Sequence, residues 1–180
     1  MKGVIYTEFL EMVEGEFSFA IADQIIQQAD LPSGGAYTTL GNYPHSEIIQ
    51  LVQNLSEATG IPIPNLLQAY GTYLFHSFVK NYASLFTDLH DAFSLLKNLD
   101  NYIHVEVKKL YLDARPPRFE YEEPNPQQLV LKYHSHRPFA LVAKGLIEGC
   151  IEHFGEDITL EFADAADGTN KAAVFTLTKT

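Results

Sequence analysis

Through the first two thirds of the chain, apolar residues recur at helical spacing; after "RPP" at Arg115 to Pro117 the period changes to two. Val4/Ile5, Phe9 and Met12/Val13 form one stripe and predict a helix over Met1 to Glu14. Ile21, Ile25 and Ile26 predict a second over Phe19 to Ala29. The Gly and Pro content of Leu31 to Pro44 predicts a loop. Ser46 reads as an N-cap, with Ile48, Ile49, Val52 and Leu55 following and Gly60 as terminator. Further helices are expected from about Pro64 to Tyr82 and from about Phe86 to Leu99. A break at Asp100 or Asn101 then precedes "YIHVEVKKLYL", helical until Asp113. The segments "FEYEE", "QQLVLKY", "ITLEFA" and "AAVFTLT" alternate as strands, with Asp167 to Asn170 as a hairpin turn and one helix, about Pro138 to His153, among them. Helices first, then an antiparallel sheet with one packed helix, make the expected fold class α+β.

Composition narrows this picture. The chain has 180 residues, 46% of them hydrophobic, and is expected to form a single domain over 1–180. No run approaches the ~18 to 20 apolar residues of a membrane span, and Glu8, Glu11 and Glu14 interrupt any signal-peptide layout. Cys150 is the only cysteine, which excludes a disulfide framework and a cysteine-rich metal site, and makes the cytoplasm the default compartment. The net charge is −11, and the densest basic stretches, Lys108-Lys109 and Arg115 to Arg118, are small. Nucleic acid and anionic membrane are therefore excluded as main partners.

The chemistry gathers late in the chain. None of the histidines forms an HExxH or a His/Cys pair at finger spacing, and no nucleophile–base pair marks an enzyme. His104 lies beside the apolar stripe of Leu96, Leu99, Ile103, Val107 and Leu110. Taken alone, such a histidine is most often an ordinary core residue, yet one axial imidazole is all a haem requires of the protein. Tyr133, Ser135 and Arg137 are spaced two apart, share a face of an extended strand and span roughly 13 Å. Alone they could be a solvated strand edge. As a functional set they offer a guanidinium fork and two hydroxyl donors to two carboxylates, such as the propionates on one edge of a haem. His134 and His136 alternate with them and should point to solvent. Pro116 and Pro117 end the His104 helix and could also press on a porphyrin.

In this order, "MKGVIYTEFLEMVE", "IHVEVKKLYLDARPPRF" and "YHSHR…GLIEG" closely resemble the H-NOX family, haem nitric oxide/oxygen binding domains related to the sensory domain of soluble guanylate cyclase. The resemblance covers essentially the whole chain. It implies haem b (iron protoporphyrin IX), buried between the helical subdomain and the sheet. His104 becomes the iron ligand, and Tyr133, Ser135 and Arg137 the propionate clamp. Pro117 becomes the residue that distorts the haem, with Ile5, Phe78 and Leu146 lining the pocket. Oxygen-binding members carry a distal tyrosine supported by tryptophan and asparagine; the matching positions here are Val142, Phe9 and Leu74, all apolar. NO, and also CO, are then favoured over O₂, with Tyr6 and Tyr70 as the nearest other donors. The implied mechanism is NO-driven release of His104, with the N-terminal half shifting relative to the half that bears the clamp. The expected partner is a histidine kinase or a cyclic-di-nucleotide signalling enzyme. The alternatives are an O₂ or redox haem sensor of the same fold, and a haem-free protein-interaction module.

Overall fold

The computed structural model describes residues 1–164 and 168–180 and divides into two units, Met1–Tyr70 and Gly71–Thr180. The first holds α1 (Val4–Glu16), α2 (Phe19–Gln27), α3 (His45–Thr59) and the start of α4 (Ile63–Asn81). Phe9, Val13, Ile25, Leu51, Leu55 and Tyr70 form its interior, which explains the helical spacing of these residues. At about 1.5 to 3 kcal/mol for each fully buried large apolar side chain, such burial outweighs any single helix propensity. Ser18 caps α2 by accepting the Ile21 N–H. Ser46 is not the cap of α3: the helix already starts at His45, and Pro44, extended at φ −60° and ψ 131°, precedes it. Proline fixes φ at a value compatible with a helix entrance, and this decides the boundary. Gly60 ends α3 in the left-handed region, as expected.

The Leu31 to Pro44 loop is held by Glu47. This carboxylate is fully buried and accepts from Ser33 N–H (3.3 Å), Ser33 Oγ (2.5 Å) and Tyr37 Oη (2.7 Å). The rings of Tyr6, Tyr37 and Tyr43 pack on one another at 4.5 to 5.5 Å between centroids. A buried charge with three donors is tolerated where an unpaired one would not be.

The second unit contains the rest of α4, then α5 (Ala92–Lys97), a π-helical turn (Leu99–Ile103), α6 (His104–Leu110), β1 (Arg118–Asn125), β2 (Gln128–His134), α7 (Ala140–Phe154), β3 (Ile158–Asp164) and β4 (Ala172–Lys179). The helix expected over Phe86 to Leu99 is shorter, because Asp91 turns its carboxylate onto Ser94 N–H (2.9 Å) and starts the helix there. The expected break at Asp100 is real and takes the form of the π turn. α6 stops at Leu110 instead of reaching Asp113, since Tyr111 leaves the helical region at φ −132°.

All neighbouring strands are antiparallel, in the order β1-β2-β4-β3. Leu129, Leu131 and Tyr133 of β2 lie opposite Leu177, Phe175 and Ala173 of β4. These six residues are buried and form one layer with Ala140, Ala143, Ile147 and Cys150 of α7. β1 is an edge strand with Glu120, Glu122 and Glu123 exposed, charges that discourage pairing with another chain. Of the expected hairpin turn, Gly168 (φ 62°) and Asn170 (φ 55°) have the required left-handed backbone, whereas Asp167 lies outside the described residues.

Candidate functional site

The π turn delivers His104. Its i→i+5 bond, Ile103 N–H to Asn98 O at 3.1 Å, widens the helix just before the histidine. His104 Nδ1 lies 2.7 Å from Asp100 Oδ1. A carboxylate only accepts, so Nδ1 carries the proton and the lone pair sits on Nε2. The other carboxylate oxygen, Asp100 Oδ2, accepts the Phe119 N–H of β1 at 2.9 Å. Burial holds the His104 pKa below the usual histidine value, opposed by the hydrogen bond and charge of Asp100. A neutral imidazole is the form that ligates metal.

Tyr133 ends the buried row of β2, and the strand stops at His134. The three polar side chains do not form an extended row. Ser135 N–H bonds to Lys171 O (2.8 Å), and the chain bends at 136–138. The bend is secured by Arg137 N–H on Ser135 Oγ at 3.1 Å, a local side-chain turn of the kind serine favours. Burial raises the Tyr133 pKa, while a hydrogen bond with Ser135 and the charge of Arg137 act in the opposite direction. The Ser135 hydroxyl and the Arg137 backbone therefore meet at the bend, closer than straight-strand spacing implies, with the Tyr133 phenol beside Ser135. Arg137 Nη1 also donates to Arg115 O at 3.1 Å, tying this cluster to the loop that carries Pro116 and Pro117. His134 and His136 are exposed, as alternation predicts.

Phe119 links the two groups. It pairs with Tyr133 across β1 and β2. Its ring lies 6.1 Å from that of His104 and 5.4 Å from that of Tyr133. Neither Asp100 nor Phe119 stood out in the sequence as a site residue. The signal for Asp100 was present: it is four residues before His104, the spacing at which helical side chains meet.

Phe78, Pro117 and Leu146 are half-buried; Leu74 and Val142 are buried. Gly71 lets α4 and α7 approach closely: a Cβ there would lie 2.1 Å from Val142 O and 2.8 Å from Gly145 Cα. In the first unit, Ile5 is half-buried and Phe9 is buried, its ring 5.2 Å from that of Tyr70. The two phenols closest to these positions in the sequence have spent their protons on backbone carbonyls, Tyr6 on Pro44 O (2.6 Å) and Tyr70 on Ile5 O (2.5 Å).

Among the described residues no three His, Cys, Asp or Glu side chains gather to hold a metal ion. A haem needs only one such ligand. A neutral histidine with its lone pair on Nε2, a cluster of anion donors and half-buried apolar side chains fit that group. The arrangement is that of a haem-binding α+β domain. A family model described as haem-NO-binding matches residues 2–162, and the chain belongs to that family. Its cofactor is haem.

Solved structures agree. The Fe(II) unliganded H-NOX protein from K. algicida is 37% identical, with a TM-score of 0.92 over 100% of this chain and 97% of that one. The H-NOX from Shewanella woodyi, solved in the Fe(II)CO ligation state with IWP-051 bound, is 35% identical, with a TM-score of 0.84 over 100% and 95%. An S. oneidensis H-NOX in the Fe(II)NO state shares the fold at 23% identity and a TM-score of 0.92, over 100% and 99%. Comparison with curated proteins returns no match. No helix among the described residues is long and apolar enough to cross a membrane.

Proposed function

We propose that residues 1–180 work as one NO-selective haem sensor, which responds to NO by releasing His104 and passes the signal to a separate protein. Haem b, when bound, supplies an iron centre that takes a gas ligand. His104, with its lone pair on Nε2, would ligate that iron. Tyr133, Ser135 and Arg137 hold the propionates, with Arg137 contributing the strongest, charge-assisted bonds. Pro117 bears on the porphyrin, and Ile5, Phe78 and Leu146 line its surroundings.

The observation that carries the NO reading is the apolar character of the three positions where oxygen-binding members are expected to place donors. Val142, Phe9 and Leu74 are apolar, and Tyr6 and Tyr70 already donate to carbonyls. Bound O₂ accumulates negative charge and depends on a donor, whereas NO and CO depend on one far less. Loss of His104 from the iron on NO binding would free α6 of its tether. That freed helix is the two-state element a partner can read. A histidine kinase or cyclic-di-nucleotide enzyme fits a sensor with this output.

Anaerobic titration of the reduced, haem-loaded protein tests this reading. NO should abolish the histidine-ligated absorption, and CO should preserve it. His104→Gly with added imidazole should bind NO yet transmit no change to the activity of a histidine kinase from the same organism. Retention of histidine ligation under saturating NO would contradict the release step.

A further inference from the structure

The π turn before α6 has a consequence at the histidine itself. Asp100 uses both carboxylate oxygens: Oδ1 accepts His104 Nδ1–H at 2.7 Å, and Oδ2 accepts Phe119 N–H at 2.9 Å. The second bond fixes the carboxylate against β1, so its orientation toward the ring is set by the sheet and not by the helix alone. The His104 side chain is only 14% exposed and that of Asp100 31%, so water competes little for the shared proton.

We infer that Asp100 is a positioning residue that sets the strength of the bond from His104 to haem iron, and thereby how readily NO releases it. The inference rests on the assignment of His104 as the iron ligand. A neutral carbonyl partner would orient the ring; an anionic carboxylate also draws the Nδ1 proton and leaves more electron density on the imidazole. Nε2 becomes the stronger donor, the iron–histidine bond stiffens, and the ferric state is favoured relative to the ferrous. Orientation follows from the same pair, because the ring is pinned at Nδ1 while Nε2 is presented to the metal. As a surface i,i+4 pair alone, Asp100 and His104 would add only about 0.2 to 0.5 kcal/mol to the helix. Such a pair would have no effect on the metal.

The test is resonance Raman spectroscopy of the ferrous, gas-free protein as wild type, Asp100→Asn and His104→Gly. Asp100→Asn removes the charge at nearly constant shape. It should lower the iron–histidine stretching frequency, raise the reduction potential and shift the NO-driven release of His104 by about tenfold or more toward release. His104→Gly should lose the mode and regain one with imidazole. If the mode persists in His104→Gly, the ligand assignment falls. If it is lost there but Asp100→Asn keeps the wild-type frequency, only the role of Asp100 falls.

Should Asp100→Asn fail to fold, the wild type decides. In the diamagnetic CO-loaded protein, the His104 Nδ1 proton should appear far downfield by nitrogen-edited NMR and exchange slowly with water. A proton at the position of a solvated imidazole, in fast exchange, would overturn the inference.

Discussion

Two stretches proposed to face the haem differ in how their polar groups are used. Near His104 polar groups are cross-tied: Asp100 joins the ring to β1, and Arg137 joins Ser135 to the Arg115 loop. At Leu74 and Val142 the side chains are apolar and buried. Hydrogen bonds to charged groups fix position and electron density, whereas an apolar surface sets what a ligand may not receive. Under the proposed function, one stretch holds the haem and the other discriminates by withholding a donor.

The largest blow to the holding side should be His104→Gly. It removes the proposed iron ligand, so the ferrous spectrum should change outright and return with imidazole. Arg137→Ala should come next. It removes charge-assisted bonds of about 1.5 to 3 kcal/mol, or roughly 10- to 100-fold in haem affinity by competition with apomyoglobin. On the discriminating side, Val142→Tyr reverses the logic by adding a phenol. One new hydrogen bond, about 1 to 1.5 kcal/mol, should raise O₂ affinity by roughly tenfold in absorption titrations, with little change for CO.

Away from these stretches, effects on gas and haem binding should be smallest and stability should change instead. Glu47→Gln leaves the Ser33 and Tyr37 donors with a weaker acceptor and should lower stability by about 1 to 3 kcal/mol, read as a lower Tm. Haem ligation by His104 should be unaltered. Burial pushes the Cys150 thiol well up, so alkylation at neutral pH should be slow until the protein unfolds.

Much of this was legible in the sequence. The change of period after Pro117 located the sheet, because alternation depends only on which face is buried. His134 and His136 could be set aside by the same rule. What eluded the pattern was local hydrogen bonding. Asp91 shortens a helix that apolar spacing alone would extend, and Pro44 displaces Ser46 from its cap. The Tyr133–Ser135–Arg137 cluster was visible as residue types, but its closure depends on a bend that Ser135 Oγ makes with Arg137 N–H. Asp100 and Phe119 went unseen for a related reason: Phe119 contributes a backbone N–H, which no side-chain pattern reveals.

The most direct test of the account is the absorption spectrum of the reduced, haem-loaded protein equilibrated first with air and then, after deoxygenation, with NO. An NO-selective sensor that releases His104 should form no stable oxygenated species in air and should shift to a histidine-free spectrum with NO. A stable oxygenated spectrum would contradict it.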